Sequence, residues 1–341
     1  CTRGQAPLKT FLGIDCGTSA VRACLIDPDE QPLALTRSRL ESQQPSAWQH
    51  AVIDCLQQLF QQHHAAEVES IAVDGTSGTL LLSDTHGQVI SDVLMYNDAA
   101  NRQYLEKIDA PADSPALSAT AGLAKVLQLA DGLKSPEALV QHQADWLTGW
   151  LCDHYGYSDE NNVLKTGYDL VKRQWPEWVS KAIPAGIQLP GVMVPGDKVG
   201  HAGKLLQSLG VSAKTRVLAG TTDSTAAFLA TGVCRLDRGV TTLGSTLVVK
   251  QLSRQLVTDS ARGIYSHRLG DAWLTGGASN SGGNVLDHFF SKEQLQQLSE
   301  QMNPAQPSGL DYYPLVKPGE RFPLDDPQLA PRLSPRPDDH G

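Results

Sequence analysis

The sequence predicts an α/β protein built from two related halves. Residues 11–27 and 239–252 are each an apolar run interrupted by a short turn rich in Gly, Ser and Thr, a pattern typical of two strands joined by a polar turn. Residues 46–64 carry apolar side chains at helical spacing, so strands and helices follow one another along the chain. A chain of 341 residues is long enough for two domains with separate cores.

The opening segment predicts a hairpin followed by a third strand, over residues 32–40. Apolar residues before Asp15 form the first strand, and residues 21–26 form the second. In the turn, Gly17 lets backbone N–H groups approach an anion, Thr18 adds a hydroxyl donor, and Asp15 can hold a hydrated Mg²⁺. An Asp-Gly turn with capping hydroxyls explains the same residues, so two interpretations stand at this point.

Residues 69–84 predict another strand, turn and strand, with the turn starting at Asp74. Ligands of open α/β sheets bind in the crevice at strand ends, which makes Thr76 and Ser77 candidate substrate contacts. A second polar hairpin is the alternative interpretation.

The middle of the chain carries helix signals. Asn97, Asp98 and Arg102 could contact a polyol or cap a helix. Residues 115–154 are expected to be helical.

Residues 216–233 predict a buried strand, a turn and a helix of small residues, which Asp223 or Ser224 caps. Backbone N–H groups and the helix dipole favour an ionised carboxylate at this position, which suits an Asp that accepts a proton or holds a metal. A plain N-cap is the alternative. The turn Gly244-Ser245-Thr246, within 239–252, repeats the logic of the opening hairpin.

Composition argues against several classes of partner. The formal net charge of -9, without a long Lys/Arg cluster, is unlike a nucleic-acid-binding surface. No apolar run approaches the roughly 20 residues of a membrane helix, and the first residues lack the apolar stretch of a signal peptide. The six cysteines have no CxxC spacing, which favours reduced thiols. We therefore expect a cytoplasmic protein that binds neither nucleic acid nor membrane.

Two halves that each open with a phosphate-type turn suggest two related domains with a nucleotide cleft between them, as in the actin-like ATPase (ribonuclease H-like) fold. Seven motifs in family order make the chain similar to the FGGY family of carbohydrate kinases, especially its plant and cyanobacterial D-ribulokinase branch, formerly called xylulose kinase-like. These motifs are DCGTSA at 15, DGTSGT at 74, YND at 96, AGTTDSTAAF at 219, TLGST at 242, TGGASNSGG at 275 and YYPLVKPGERFP at 312.

The resemblance implies a sugar-binding domain over residues 1–228 and an ATP-binding domain over 229–341. It also implies ATP and Mg²⁺ as cofactors and transfer of the γ-phosphoryl group to a ketopentose hydroxyl, with D-ribulose giving D-ribulose 5-phosphate. D-xylulose kinase and a non-catalytic actin-like nucleotide- or sugar-binding module are the alternatives. The resemblance carries no information on oligomeric state.

The family pattern also implies roles for individual residues. Asp223 is the catalytic base and, with Asp15 and Ser77, contacts the sugar, while Asp15 also faces the metal. A loose phosphoryl-transfer transition state needs positioning more than a strong base, so an ionised Asp suffices. The implied contacts to the ATP phosphates come from two turns and are Gly17, Thr18, Gly244, Ser245 and Thr246.

The sequence also departs from the family. Glycerol and xylulose kinases place Arg-Glu or Met-His in the turn where this chain has Thr76-Ser77-Gly78, and the aromatic residue after the signature Lys is missing from residues 124–130. The family continues beyond the equivalent of residues 335–341 with a helix pair and a Gly-rich adenine motif. We therefore expect an incomplete second domain, weaker ATP binding, and uncovered apolar strand surface after about residue 235.

Overall fold

The computed structural model describes residues 9–118, 120–133, 137–307 and 309–334. The chain divides into two units, Cys1–Ala230 and Thr231–Gly341.

Unit 1 alternates strands and helices, as the sequence predicts. Its strands are β1 Thr10–Cys16, β2 Ala20–Ile26, β3 Pro32–Arg39, β4 Val68–Gly75, β5 Leu80–Ser83, β6 Ala138–His142, β7 Tyr157–Asp159, β8 Ile187–Gln188, β9 Gly191–Met193, β10 Lys198–His201 and β11 Arg216–Thr222. Its α-helices are α1 Pro45–Phe60, α2 Arg102–Leu105, α3 Gly122–Asp131, α4 Gln143–Cys152, α5 Glu177–Ala182, α6 Lys204–Ser208 and α7 Asp223–Leu229. Short 3-10 turns lie at Ala65–Glu67, Pro115–Leu117 and Val163–Thr166.

The main sheet of unit 1 has the strand order β10-β11-β4-β1-β2-β3. β1, β4 and β11 run parallel, and β2, β3 and β10 run antiparallel to their neighbours. In register, Asp15 of β1 lies opposite Asp74 of β4, and Asp74 lies opposite Thr221 of β11. The carboxyl ends of the three parallel strands therefore meet at one edge. Helix α1 packs its apolar face, including Trp48 and Leu56, into the core beneath this sheet.

The pairing of β4 with β11 depends on Gly220. The register shifts between Leu218 and Thr221, which brings the two backbones close together. A Cβ atom on Gly220 would lie 1.7 Å from the backbone oxygen of Val73, a distance no side chain can adopt. By contrast, a Cβ on Gly13, also in a strand, would meet nothing within 4 Å.

Two details differ from the sequence-based expectation. β4 and β5 do not form a hairpin, because β4 pairs with β1 and β11 whereas β5 pairs with β6. Residues 138–142 form strand β6 within the stretch expected to be helical. All five residues of β6 are buried, and a short, fully buried apolar run has no alternation that separates strand from helix.

Unit 2 is built on an antiparallel sheet of order β12-β13-β15-β14. The hairpin predicted over residues 239–252 is present as β12 and β13, and β14 and β15 form a second hairpin. Apolar side chains reach the surface, with Leu243 63 % and Leu286 44 % exposed beside an apolar cavity of about 230 Å³. The elements of unit 2 are β12 Gly239–Leu243, β13 Leu247–Ser253, β14 Tyr265–Leu269, β15 Ala272–Ser279, α8 Gly283–Phe289 and α9 Lys292–Gln301.

Within the described parts of the chain, no helix is both long and apolar enough to cross a membrane. The described cysteines are free thiols, as expected from their spacing; Cys16, Cys55 and Cys152 are buried and Cys234 is exposed.

Candidate functional site

Three carboxyl groups meet at the carboxyl ends of the parallel strands of unit 1. Asp15 lies near the end of β1, Asp74 near the end of β4, and Asp223 directly after β11. All three line one open cavity of about 510 Å³. The structure therefore brings together Asp15, Gly17 and Asp223, which the sequence proposed from separate motifs. The full lining is Asp15, Gly17, Arg22, Asp74, Asp223, Ser224, Ala226, Ala227 and Ala230.

Arg22 holds the carboxylate of Asp15. The two residues lie opposite each other in the β1–β2 hairpin, and the Nη1 atom of Arg22 donates to Oδ2 of Asp15 at 2.7 Å. Both side chains are partly exposed, so the pair contributes little to stability. Its effect is to orient one oxygen of Asp15 and to place a positive charge in an otherwise acidic cavity.

Asp74 is an acid of this cavity whose pKa is displaced from its ordinary value. Burial, followed by the negative charges of Asp15 and Asp223, raises the pKa of Asp74 to about 8, although Arg22 opposes the shift. Like charges in one partly buried site disfavour simultaneous ionisation. At neutral pH, Asp74 is therefore mainly a neutral acid.

Asp223 is the first residue of α7, and Thr222 occupies the N-cap position. This corrects the expectation that Asp223 or Ser224 is the cap. The Oδ1 atom of Asp223 accepts a hydrogen bond from the backbone N–H of Ser224 at 2.6 Å, which fixes the carboxylate at the start of the helix. The alanines of α7 that line the cavity have short side chains, which leaves open space beside the Asp223 carboxylate.

The Gly17-Thr18 turn has a different local role from the one expected. The Gly17 N–H donates to the backbone oxygen of Ala20 at 3.1 Å, so this amide closes the hairpin. A Cβ on Gly17 would make ordinary contacts, at 3.4 Å from the Ala20 oxygen and 3.7 Å from Oδ1 of Asp15. Gly17 therefore keeps the cavity open beside Asp15. Thr18 is exposed, and its backbone oxygen accepts a hydrogen bond from Nε2 of Gln43.

The hydroxyl of Thr76 is used inside the protein. Oε1 of Gln143 accepts from both the N–H and the Oγ1 of Thr76, at 3.0 and 2.9 Å. Oγ1 of Thr79 lies 2.6 Å from Oγ1 of Thr76 and accepts from the Tyr96 N–H. Buried hydroxyls need such partners, and Thr76 is 3 % exposed. Of the two residues proposed in this turn, Thr76 is thus structural.

Ser77 has a buried hydroxyl of another kind. Its Oγ atom is inaccessible to solvent and has no hydrogen-bond partner among the residues that the structure describes. Ser77 does not line the carboxylate cavity.

Asp98 and Arg102 have local roles. The Oδ2 atom of Asp98 accepts a hydrogen bond from the Met95 N–H at 2.7 Å, and Arg102 forms an ion pair with Glu106. Neither Asp98 nor Arg102 caps α2, whose N-cap is Asn101.

In unit 2, the turn Gly244-Ser245-Thr246 rests on the start of α8. The N–H groups of Gly283 and Asn284 donate to the backbone oxygens of Gly244 and Ser245, at 2.7 and 3.2 Å. A Cβ on Gly282 would lie 2.4 Å from the Cα of Thr246, so only glycine allows this approach. The turn is largely exposed, and its backbone is held by the hydrogen bonds from the start of α8.

The sequence interpretation did not propose Arg22, Asp74 or Ser224 as site residues. A signal for Asp74 was present, because DCGT and DGTS both place an Asp where an apolar strand meets a glycine turn. Parallel pairing of those strands puts the two Asp residues side by side. Arg22 gave a weaker signal, as a charged residue inside an apolar strand.

Comparison with known proteins identifies relatives of the whole chain. Residues 10–128 match the N-terminal domain of the FGGY family of carbohydrate kinases. The xylulose kinase of Bacillus subtilis (strain 168) is 23% identical over 96% of this chain and 71% of its own length. The structure of the "xyloylose kinase" from Brucella ovis superposes with a TM-score of 0.80 at 20% identity, covering 97% of this chain and 74% of that one. Gluconate kinase from Lactobacillus acidophilus gives a TM-score of 0.76 at 19% identity, covering 98% and 74%.

This likeness confirms the predicted actin-like, ribonuclease H-like α/β fold. The family match and the relatives named xylulose kinase indicate a phosphotransferase of the carbohydrate kinase class. The chain is similar to the FGGY carbohydrate kinases, through the family match of residues 10–128 and through relatives named xylulose kinase.

Proposed function

We propose that this protein is an ATP-dependent ketopentose kinase that converts D-ribulose to D-ribulose 5-phosphate. The observation that carries the proposal is the meeting of Asp15, Asp74 and Asp223 in one open cavity of an FGGY-type domain. Relatives named xylulose kinase support a pentulose as substrate and make D-xylulose the second candidate. The preference for D-ribulose follows from the turn at Ser77, which replaces the bulkier Arg-Glu or Met-His of glycerol and xylulose kinases.

In this proposal, Asp223 accepts the proton of the attacking sugar hydroxyl. Its carboxylate is fixed by the Ser224 N–H and faces open space. Because the transition state of phosphoryl transfer is loose, the main requirement is that base and hydroxyl be aligned. Asp15 contacts the sugar with the oxygen that Arg22 does not orient, and Asp74, neutral at pH 7, limits the negative charge that the transferred phosphoryl group meets.

The cavity has donors that suit Mg²⁺. This ion prefers one or two carboxylates together with water and substrate phosphate oxygens, and Asp15 and Asp223 supply carboxylate oxygens at the cavity wall. Among the described residues, no group of three or more His, Cys, Asp or Glu forms a complete metal site. We infer that Asp15 would hold the Mg²⁺ ion, which would neutralise phosphate charge when bound together with ATP.

We infer that unit 1 binds the sugar and unit 2 the nucleotide. The support in unit 2 is the turn Gly244-Ser245-Thr246, whose hydroxyls are presented from a backbone held by α8. In unit 1 the corresponding phosphate contacts are Gly17 and Thr18, with Gly17 acting through the space it leaves rather than through its N–H.

Measuring ADP release with ATP, Mg²⁺ and a panel of D-ribulose, D-xylulose and glycerol tests the function. We expect kcat/KM to be highest for D-ribulose, lower for D-xylulose and lowest for glycerol. A preference for D-xylulose would identify D-xylulose as the substrate and leave the proposed reaction, phosphoryl transfer to a ketopentose, unchanged. ATP hydrolysis that no sugar stimulates would instead favour a non-catalytic actin-like module.

The Ser77 hydroxyl lies outside the carboxylate cavity and is covered in this structure, so a sugar can reach it only if the turn at 76–79 moves on binding. If it does, Ser77→Ala lowers kcat/KM for the pentulose by roughly 5- to 150-fold, or about 1 to 3 kcal/mol, because a sugar hydroxyl loses its partner. Stability should not fall, since the Ser77 hydroxyl has no hydrogen bond to lose among the described residues. Steady-state kinetics and thermal unfolding separate the two effects. Ser208→Ala, on α6, is a matched control that should change neither. Unchanged kinetics in Ser77→Ala would remove Ser77 from the sugar site.

A further inference from the structure

A lysine lies in the interior of unit 1, directly behind the turn that carries Ser77. Lys125 is 0 % exposed and sits on α3 between the equally buried Ala124 and Val126. Its Nζ atom donates to the backbone oxygen of Gly78 at 2.9 Å and to that of Met95 at 2.6 Å. A buried cation is tolerated only when it is hydrogen-bonded, so these two carbonyls hold the ammonium group in place.

The two carbonyls belong to different segments of the chain. Gly78 follows Ser77, and Met95 opens the segment 95–98. Two further links lie beside these contacts: the Tyr96 N–H donates to Oγ1 of Thr79 at 3.0 Å, and Leu80 and Leu94 exchange two backbone hydrogen bonds of 2.9 Å. Segments 76–79 and 95–98 are therefore held together by a buried polar junction.

The buried charge of Lys125 lowers the stability of the native state. Burial lowers the pKa of Lys125 to about 8, while Asp98 raises it and Lys165 lowers it further. Because the unfolded chain binds the proton more tightly, the charge destabilises the native state in full below pH 8, and this loss fades as the pH rises toward the ordinary value of 10.5. A methionine of similar volume would remove this penalty but would leave the Gly78 and Met95 carbonyls without their donor.

We propose that Lys125 is a positioning residue of the sugar site. Its ammonium group fixes segment 76–79 against segment 95–98, which sets where the Ser77 hydroxyl stands. The inference rests on the proposed function, because it takes Ser77 as a sugar contact. Lys125 itself touches no substrate; it acts through the backbone of its two partners.

Lys125→Met tests the proposal by removing the donor while keeping the volume. We expect KM for the preferred pentulose to rise roughly tenfold or more, with kcat at saturation within about threefold of wild type and KM for ATP unchanged. The midpoint of thermal unfolding at pH 7 should change little, because removal of the buried charge and loss of the two hydrogen bonds oppose each other. Hydrogen exchange measured by mass spectrometry should quicken in segments 76–79 and 95–98 and stay unchanged in the main sheet.

Two further variants keep the test decisive. Gln141→Met is the matched control, because Gln141 is also 0 % exposed, lies in β6, and its side-chain nitrogen and oxygen have no partner among the described residues. It replaces a buried polar side chain without touching the junction, so KM and exchange in both segments should stay as in wild type. Thr79→Val removes the acceptor of the Tyr96 N–H, together with the hydroxyl contact to Thr76 within the turn. It should raise KM for the pentulose in the same direction, even if Lys125→Met fails to fold.

A folded Lys125→Met variant with unchanged KM and unchanged exchange in both segments would overturn the proposal. So would an equal rise of KM in Gln141→Met, because the effect would then follow from any buried substitution. Failure of the proposed function looks different: wild type would turn over none of the sugars, while local exchange in Lys125→Met would still report whether the junction depends on the lysine.

Discussion

Replacing Asp223 by Asn is expected to reduce kcat for the pentulose by about 10² to 10⁴-fold, or some 3 to 5 kcal/mol of transition-state stabilisation. The amide has nearly the same shape and cannot accept the proton of the sugar hydroxyl. The fold should persist, because the Asn side-chain oxygen can still accept the hydrogen bond that Ser224 N–H now gives to Asp223. Steady-state ADP release and thermal unfolding measure the two quantities.

The control for this substitution is Asp92→Asn, which removes one negative charge from an exposed position outside the cavity lining. Its turnover should match wild type. If Asp223→Asn retained near-wild-type kcat, the proton would have to leave by another route, and the assignment of Asp223 as base would be wrong.

The second large effect concerns Gly220. Gly220→Ala is expected to lower the free energy of unfolding by about 3 kcal/mol or more, or to prevent folding of unit 1. The new Cβ would lie 1.7 Å from the backbone oxygen of Val73, and this oxygen cannot retreat because β4 is paired on both sides, with β1 and β11. Urea unfolding followed by tryptophan fluorescence measures the loss.

Gly13→Ala is the matched control for this variant, since Gly13 also lies in a strand and has open space where the Cβ would stand. It should be neutral or stabilising by up to about 1 kcal/mol, through lower entropy of the unfolded chain. Equal stability of the two variants would show that β4 and β11 can separate at this point without penalty.

The elements at the start of the chain could be predicted because the spacing of their apolar residues determines them locally. The β1, β2, β3 and α1 series is readable because its apolar residues recur at strand and helix periods. Asp15 and Asp223 could be proposed because each stands where an apolar strand turns polar. Their meeting in one cavity follows from the parallel pairing through β4.

Properties that depend on distant partners could not be read in advance. Thr76 looked available for a ligand because its partner Gln143 lies 67 positions away. Lys125 stands out only as the lysine of the family's signature, and its carbonyl partners, 47 and 30 positions away, could not be read from the sequence. β5 pairs with β6 rather than with β4, and the spacing of apolar residues within β5 does not indicate which strand it pairs with.

The three site carboxylates can meet only after β11 has paired with β4. This pairing joins residues far apart in the chain, as in the hydrogen bond from Thr215 to the backbone oxygen of Val68, 147 positions earlier. During synthesis, β1 and β4 emerge long before β11, so one edge of β4 stays unpaired while the intervening helices and strands are made. Closing so long a loop is slow, so we expect the carboxylate cavity to be among the last features of unit 1 to form. Ligand binding at this cavity is therefore a signal that folding of unit 1 is complete.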